Sequence, residues 1–428
     1  MKLSDIKKAH FVGIGGIGMS GLARLFLHEK KQVSGSDRSP SPITDALRNE
    51  GVIFFPSQAA ANITDDIDLI VYTEAMPKDH EELIRARELG IPLMNYFEAL
   101  GMVANEYYLI AVAGSHGKTT TTAMLIDIFE RSGYDPTAIV GSLRSETKSN
   151  FRAGKSKYFI VEACEYRRDF LTLTPDILVI TNIEYEHVDY YQDLGAVQAA
   201  FREFAHRIRS GGTLIVNFSA PNIAPVLEGV TAKLIDYGVY FDPLLKLRQP
   251  GVHNALNAAS ARAVADTAGI PPDVSRHALE EFKGTWRRFE YKGFLNGAPV
   301  YDDYGHHPTE IKATILGARE LYPDKKITLV FQSHTYSRTH ALFADFVDTL
   351  SHADRVILLP IYAARETNES GVSHTQLADA VRVKNQNILA LDTFDMAAEE
   401  IKKSVGEHDV VIVMGAGDVT QVASRLVS

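Results

Sequence analysis

A glycine-bounded loop after residue 113 contains the residue types that bind nucleotide phosphates. The apolar run YYLIAVA (107–113) leads into this loop. The loop consists of Gly114, Ser115, His116, Gly117, Lys118 and Thr119, and Thr120 follows it. In such a loop the backbone N–H groups face the phosphates, the lysine reaches the β/γ oxygens and the threonine hydroxyl ligates Mg²⁺. Val112 stands where the standard motif has its first glycine, so the loop has a shorter G-x-x-G-K-T form. It predicts ATP or GTP as a ligand.

A second glycine loop, GIGGIGMSGLA (13–23), lies near the N-terminus. Its G-x-G-x-x-G pattern is formed by Gly13, Gly15 and Gly18, around Gly16 and Ile17. Between a strand and a helix this pattern is typical of a dinucleotide site, and Asp37 ends the next strand, where a ribose-binding acid belongs. Hydride transfer has no use for the triphosphate loop, and the pyrophosphate of a nucleotide-diphosphate substrate suits this loop equally well. NAD and a nucleotide diphosphate therefore both stay open.

Three further groups of residues suit phosphate chemistry. Glu162 ends an apolar strand, where its carboxylate can hold Mg²⁺ directly or through water. His187 lies in TNIEYEHVDYY (181–191), after another strand, so we expect it at the carboxyl edge of the same sheet. The segments RRFE (287–290) and YDDYGHHPTE (301–310) bring Arg, Asp and His to a domain junction. Such a concentration of polar groups suits an active site that closes.

The elements that position these residues alternate between short apolar runs and helical stretches, which predicts parallel sheets covered by helices. The predicted strands are 10–14, 32–36, 69–73, 92–97, 107–113, 158–163, 176–183, 326–331, 355–360 and 409–418. A helix is predicted at 253–269. We expect three α/β domains in the 428 residues, at 1–105, 106–294 and 295–428.

Composition and charge exclude several classes of protein. The net charge of −10 and the lack of a Lys/Arg stripe interleaved with aromatics argue against a nucleic-acid partner. Cys164 is the only cysteine, so no intrachain disulfide is possible, and catalysis by its thiol lacks a partner motif. The N-terminus has no signal-peptide core and no apolar run approaches about 18 residues. We expect a soluble cytoplasmic protein without a membrane partner, as a monomer or homodimer.

The motifs occur together in an order that resembles the Mur ligases of peptidoglycan synthesis. They are GIGGIGMSGLA, AGSHGKTTTT, TNIEYEHVDYY, GVHNALNAA, RRFE, DDYGHHPTE, FQSHTYSRT, YAARE and GAGD. The resemblance covers nearly the whole chain. It implies a Rossmann-like UDP domain, a P-loop ATPase-like central domain and a Rossmann-like C-terminal domain that brings the amino acid.

The resemblance implies an ATP-dependent carbon–nitrogen ligase. In the branch that this chain most resembles, the lactyl carboxylate of UDP-N-acetylmuramate attacks the γ-phosphate of ATP. The resulting acyl phosphate then reacts with L-alanine, and ADP and phosphate leave. A carboxylate that approaches a polyanion needs a neutralising cation, which Lys118 and Mg²⁺ would supply.

The resemblance also implies roles for individual residues. Lys118, Glu162 and His187 would be catalytic, with Thr119 and Glu162 on one Mg²⁺ and His187 on a second. Asn254 and Asn257 would contact adenine, and Arg288 and Asp303 the ATP phosphates and ribose. The sugar nucleotide would contact Gly15, Gly16, Ile17, Gly18, Asp37 and His187. His334, Arg338 and Arg365 would serve the amino-acid and phosphate end.

Two departures from the family qualify these expectations. EACEYRRDF (162–170) replaces the family's E-A-D-E-S-D segment, with Cys164 in place of an acid and Tyr166-Arg167 in place of Ser-Asp. This leaves open the related ligase that attaches a tripeptide in wall recycling. Residues 234–254 pass almost directly from a strand to a helix, which predicts a trimmed central domain. Outside the family, a nicotinamide oxidoreductase and a non-catalytic nucleotide-binding scaffold remain open.

Overall fold

The computed structural model describes residues 1–427, which form two compact units. The first unit contains Met1–Ile183, Gln198–Tyr240 and Ala259–Leu279. The second contains Glu184–Val197, Phe241–Ala258 and the chain from Glu280 onward. The strands form three separate sheets, each covered by helices. Two of the sheets lie in the first unit and one in the second.

The first sheet is entirely parallel and has the order β3-β2-β1-β4-β5. Its strands are β1 (Lys8–Val12), β2 (Gln32–Ser36), β3 (Ile53–Phe55), β4 (Leu69–Tyr72) and β5 (Leu93–Asn95). The helices between and after them are α1 (Ile17–His28), α2 (Pro42–Asn49), α3 (Glu81–Glu88) and α4 (Tyr96–Ala104). Because β1 is central, the glycine loop that follows it lies where the strand order reverses, the usual ligand position in such sheets.

The strand predicted at 92–97 is wrong in its last two residues. Strand β5 stops at Asn95, and Tyr96 begins helix α4. The Asn95 side chain accepts a hydrogen bond from the Glu98 N–H at 2.8 Å, and the Glu98 carboxylate accepts one from the Asn95 N–H at 2.8 Å. This reciprocal capping box starts the helix despite the strand preference of two successive aromatic residues.

The second sheet has the order β12-β11-β10-β6-β9-β7-β8, and only the β7–β8 pair is antiparallel. Its strands are β6 (Tyr108–Ala113), β7 (Thr137–Ile139), β8 (Phe151–Arg152), β9 (Tyr158–Glu162), β10 (Ile177–Ile180), β11 (Thr213–Val216) and β12 (Lys233–Asp236). The accompanying helices are α5 (Lys118–Arg131), α6 (Leu194–Ala205), α7 (Val252–Thr267) and α8 (Pro272–Glu281). The four central strands are buried runs, as parallel strands covered on both faces are.

The link from β12 to α7 contains one short 3₁₀ turn at Tyr237–Tyr240. Within the described chain no strand is formed between Phe241 and Gly251. This agrees with the trimmed central domain predicted from the sequence.

The third sheet has the order β13-β14-β18-β15-β16-β17, with only β13 and β14 antiparallel. Its strands are β13 (Glu290–Leu295), β14 (Ala298–Asp303), β15 (Lys326–His334), β16 (Arg355–Tyr362), β17 (Ile388–Ala390) and β18 (Asp409–Met414). Its helices are α9 (Pro308–Leu321), α10 (Tyr336–Ala341), α11 (Phe343–Leu350), α12 (His374–Arg382), α13 (Phe394–Ser404) and α14 (Thr420–Val427). Alternate residues of β15 enter separate cores on the two faces: Leu329 and Phe331 enter one, and Val330 the other.

The prediction of parallel sheets covered by helices is confirmed. Among residues 1–427, no helix is both long enough and apolar enough to cross a bilayer.

Candidate functional site

The phosphate loop lies between β6 and α5, and its two glycines have left-handed backbone conformations. Gly114 has φ 133° and Gly117 has φ 84°. A Cβ atom on Gly114 would lie 2.0 Å from the Thr181 hydroxyl oxygen, so no larger residue fits there. Gly117 caps the N-terminus of α5, so the helix begins at Lys118 and its first N–H groups lie at the loop. This geometry matches that of an anion site.

The Lys118 side chain is held inside the loop by oxygen atoms. Its Nζ donates to the carbonyl oxygens of Gly114 at 2.5 Å and Ser115 at 3.0 Å. It also lies 2.9 Å from a carboxylate oxygen of Glu165, whose side chain is only 2 % exposed. The ammonium group is therefore already surrounded by negative and partial negative charge, which phosphate oxygens would replace.

Thr119 and Glu162 meet directly, as two ligands of one ion would. The Thr119 hydroxyl lies 2.9 and 3.0 Å from the two oxygens of the Glu162 carboxylate. The Gly141 N–H donates to the same carboxylate at 2.9 Å. Hydroxyl and carboxylate oxygens are the ligands that Mg²⁺ prefers, so this pair fits a magnesium ion beside the phosphate loop.

Two residues after β10 support the loop from behind. The Asn182 side-chain oxygen accepts from the His116 N–H at 3.0 Å, and the Asn182 carbonyl oxygen accepts from the Ser115 N–H at 3.1 Å. The Thr181 hydroxyl donates to the His116 carbonyl oxygen at 2.5 Å. Thr120 is buried in the first turn of α5. Sequence reasoning missed Thr181 and Asn182, although both belong to the TNIEYEH motif.

The first glycine loop is fixed by Asp37, which the sequence placed at a ribose. One oxygen of its carboxylate accepts from the Gly15 N–H at 2.9 Å. Gly16 caps helix α1, and Ile17 and Gly18 form its first turn. The loop therefore presents a helix N-terminus to an anion, and Asp37 acts on the backbone of that loop.

In the second unit, the buried Glu186 carboxylate lies beside His306, which follows β14, and Arg338, which belongs to α10. Glu186 Oε1 lies 3.3 Å from Arg338 Nη2 and 3.4 Å from His306 Nε2. Arg338 Nη1 lies 3.1 Å from His334 Nδ1. Glu186 and Arg338 are both buried. Glu186 was not predicted, although it directly precedes His187 in the sequence.

His334 is a neutral imidazole in this cluster. Burial, and then the charges of His306 and Arg338, lower its pKa to about 3, and His187 acts in the same direction. The His334 ring stacks on Tyr362 with a centroid distance of 5.5 Å. The structure therefore brings the predicted residues His187, His334 and Arg338 together around Glu186.

The predicted adenine and ribose residues also belong to the second unit. Asn254 and Asn257 are buried in the first turns of α7, where the Asn254 amide donates to the Pro250 carbonyl oxygen at 2.9 Å. Asp303 accepts from the N–H groups of Phe289 at 2.8 Å and Gly305 at 2.7 Å. Burial raises the pKa of Asp303 to about 6, against the opposing charge of Arg288.

Three arginines of the second unit, Arg287, Arg288 and Arg365, have different surroundings. Arg288 lies over the Tyr304 ring at 5.2 Å and 3.7 Å from Glu310. Its neighbour Arg287, not predicted, is buried and contacts Asp302 at 3.3 Å. Arg365 is exposed and forms no hydrogen bond or ion pair within residues 1–427. The structure does not bring Arg365 to the Glu186 cluster.

Three family models match consecutive parts of the chain. "Mur ligase family, catalytic domain" matches residues 8–108, "Mur ligase middle domain" residues 112–242, and "Mur ligase, glutamate ligase domain" residues 287–417. The chain belongs to the Mur ligase family. This membership favours a ligase over a nicotinamide oxidoreductase as the activity of this Mur ligase.

Several similar proteins carry the same name. The UDP-N-acetylmuramate–L-alanine ligase of Agathobacter rectalis is 41% identical over 449 residues, covering 97% of each chain. That of Caldanaerobacter subterraneus is 39% identical and covers 99% of this chain and 98% of its own. Among solved structures, UDP-N-acetylmuramate-alanine ligase from Thermotoga maritima has a TM-score of 0.81 at 28% identity, covering 98% of both chains.

The departure at EACEYRRDF gives this Mur ligase an unusual local backbone. Arg167 and Arg168 have positive φ values of 52° and 62° inside the 3₁₀ segment Tyr166–Thr172. Burial, and then the Glu74 carboxylate, raise the pKa of Asp169 to about 7. Burial also raises the pKa of the Cys164 thiol, which agrees with a structural cysteine.

Proposed function

We propose that this chain is the ATP-dependent ligase that joins L-alanine to the lactyl carboxylate of UDP-N-acetylmuramate in peptidoglycan precursor synthesis. The observation that carries the proposal is similarity over almost the full chain to proteins of that name, at 39–41% identity. The phosphate loop, with the Thr119 hydroxyl on the Glu162 carboxylate, supports the ATP half of the reaction.

The reaction has two steps. A lactyl carboxylate oxygen attacks the γ-phosphorus of ATP, and the bond to the bridging oxygen breaks to give an acyl phosphate and ADP. The alanine amine then attacks the acyl carbon, loses a proton and expels inorganic phosphate, leaving an amide. Positioning and charge neutralisation carry most of the catalysis of phosphoryl transfer.

The phosphate loop supplies that neutralisation in the first step. Lys118 would transfer its contacts from the Gly114 and Ser115 carbonyl oxygens and Glu165 to the β/γ-phosphate oxygens. Thr119 and Glu162 would hold one Mg²⁺, and His187 would help to hold a second. Bound magnesium would withdraw charge from the γ-phosphate and so favour attack by an anion.

The remaining predicted residues bind the substrates in this proposal. Gly15, Gly16, Ile17 and Gly18 present the N-terminus of α1 to the UDP pyrophosphate, and Asp37 fixes the loop. Asn254, Asn257, Arg288 and Asp303 serve adenine, phosphates and ribose. His334 and Arg338 serve the amino-acid end. Arg365 is exposed in the segment that follows β16, so its role at the amino-acid end requires that segment to move when substrate binds.

We also propose the domain limits 1–105, 106–294 and 295–428 for the UDP, ATP and amino-acid domains. The cytoplasmic location and the monomeric or homodimeric state stay predictions from the sequence.

The proposal is tested by measuring ADP release with Mg-ATP and UDP-N-acetylmuramate. L-alanine, glycine, L-serine and the L-alanyl-γ-D-glutamyl-meso-diaminopimelate tripeptide are added separately. We expect release that depends on both the sugar nucleotide and L-alanine. Turnover only with the tripeptide would assign the recycling reaction. ATP binding without turnover on any acceptor would contradict ligase activity.

A further inference from the structure

Tyr96, the first residue of α4, packs directly on the first glycine loop. A Cβ atom on Gly18 would lie 2.7 Å from Tyr96 Cζ and 3.0 Å from its hydroxyl oxygen. Only a glycine at position 18 leaves this ring in place. The phenol oxygen therefore lies beside the first turn of α1, where the proposed diphosphate binds.

The Tyr96 hydroxyl group has no hydrogen-bond partner among residues 1–427. The residue is half-buried, and its hydroxyl forms no hydrogen bond with any other residue of the described chain. The ring itself is held by an edge contact with Phe97, at a centroid distance of 4.8 Å. A buried tyrosine usually finds a partner for its O–H, so a half-buried hydroxyl without one is available to a ligand or to water.

The electrostatic environment keeps this hydroxyl protonated. Burial raises the pKa of Tyr96 above its ordinary value, and the nearby Glu162 carboxylate and Cys164 add to that effect. At neutral pH the group is therefore a neutral phenol that can donate a hydrogen bond to an anion. Glu162 also contacts Thr119, so Tyr96 lies within electrostatic range of the proposed magnesium site as well as against the first glycine loop.

We propose that the Tyr96 hydroxyl donates a hydrogen bond to the diphosphate-linked sugar of the UDP-N-acetylmuramate substrate. The inference rests on the proposed function. In that reaction the pyrophosphate lies at the N-terminus of α1, while the lactyl carboxylate must reach the γ-phosphate beside Glu162. Tyr96 packs against the first of these points and lies within electrostatic range of the second, so we expect the part of the substrate that joins them to pass Tyr96. Tyr96 is thus a substrate-contact residue that the phosphate-binding motifs do not include.

The test compares the wild type with Tyr96→Phe, which keeps the ring and removes only the hydroxyl group. Isothermal titration calorimetry measures the Kd for UDP-N-acetylmuramate and for Mg-ATP, and steady-state kinetics measures KM and kcat. We expect the Kd and KM for the sugar nucleotide to rise about tenfold, as for one lost hydrogen bond to a charged or strongly polar group. The Kd for Mg-ATP and kcat should not change. Tyr107→Phe is the matched control. Tyr107 directly precedes β6, at the end of the strand away from the phosphate loop, and its ring packs on Phe159.

The outcomes separate this inference from the proposed function. If the wild type binds the sugar nucleotide and Tyr96→Phe binds it equally well, the Tyr96 assignment is wrong and the ligase proposal stands. Equal losses for the sugar nucleotide and Mg-ATP would show a structural effect and would also overturn the assignment. If the wild type binds no UDP-N-acetylmuramate, both proposals fail.

Discussion

The Lys118 ammonium group lies 2.9 Å from the Glu165 carboxylate, in the loop proposed to hold the ATP phosphates. The two side chains are 14% and 2% exposed, so the pair is largely shielded from water. A buried ion pair of this kind is costly to break by removal of one partner. ATP binding would instead exchange the carboxylate for phosphate oxygens, which keeps the lysine paired.

Replacement of that lysine should abolish turnover, and the loss of this cation beside the Glu165 carboxylate should also cost some stability. We expect Lys118→Ala to reduce kcat by at least about 10²-fold, since the lost cation stabilises transferring phosphate. ADP release measures the effect, and circular dichroism checks folding. Lys155→Ala is the control, because Lys155 is exposed in the segment between β8 and β9 of the same sheet. Unchanged turnover in Lys118→Ala would refute the phosphate-loop assignment.

The Glu162 carboxylate should determine the magnesium requirement. In Glu162→Gln the side chain keeps its size but loses its negative charge, so we expect the Mg²⁺ concentration for half-maximal activity to rise about tenfold. Titration of ADP release with MgCl₂ measures this shift. Glu106→Gln, at an exposed position, serves as the control. An unchanged magnesium curve would remove Glu162 from the metal site.

Gly18 should be intolerant of even one added methyl group. In Gly18→Ala the new Cβ would lie 2.7 Å from Tyr96 Cζ, so the ring or the first turn of α1 must shift. We expect the Kd for UDP-N-acetylmuramate to rise while the Kd for Mg-ATP stays constant. In the control Gly406→Ala, no atom lies within 4 Å of the added Cβ. Wild-type affinity in Gly18→Ala would show that the loop adapts at no cost to binding.

A buried carboxylate in helix α3 should make stability depend on pH. Glu82 is fully buried and accepts hydrogen bonds from Ser36 and Asn62, both at 2.7 Å, with His10 Nε2 at 3.5 Å. Burial alone would raise the pKa of Glu82, but these partners outweigh it and lower the pKa below 4.5. The folded state therefore gains stability from Glu82 above pH 4.5, and that gain disappears as the pH falls through the lowered pKa.

The Glu82→Gln variant tests this pH dependence. We expect a loss of about 1.5–3 kcal/mol in unfolding free energy at pH 7, because hydrogen bonds to a charged group are removed. The difference from wild type should shrink as the pH falls below 4.5. Urea unfolding at several pH values measures it, with the exposed Glu88→Gln on the same helix as control. A difference independent of pH would contradict the charged state of Glu82.

The sequence was most informative where local pattern and tertiary structure agree. The run at 32–36 forms β2 with the predicted bounds, and the phosphate loop lies between a strand and a helix as expected. Tyr96 was predicted as the end of an apolar strand run, 92–97, while the capping box that makes it helical depends on Asn95 and Glu98 together. Edge strands such as β3, with three residues, are too short to give a periodic pattern.

The predicted site was incomplete for a different reason. Lys118, Thr119 and Glu162 belong to motifs whose spacing has chemical meaning. Glu165 and Glu186 matter because the fold places a cationic side chain beside each of them, Lys118 beside Glu165 and Arg338 beside Glu186. Spacing along the chain does not encode these contacts. A second acid three residues after Glu162 was the one available signal for Glu165.

The division of the chain into two units limits how this enzyme can be cut into pieces. The chain crosses from one unit to the other five times, after residues 183, 197, 240, 258 and 279. Three of these crossings fall inside the continuous helices α6, α7 and α8. Neither unit is therefore a contiguous gene segment, and a single proteolytic cut or truncation releases neither one whole. Split versions of the enzyme would have to be divided within a unit, at an exposed loop.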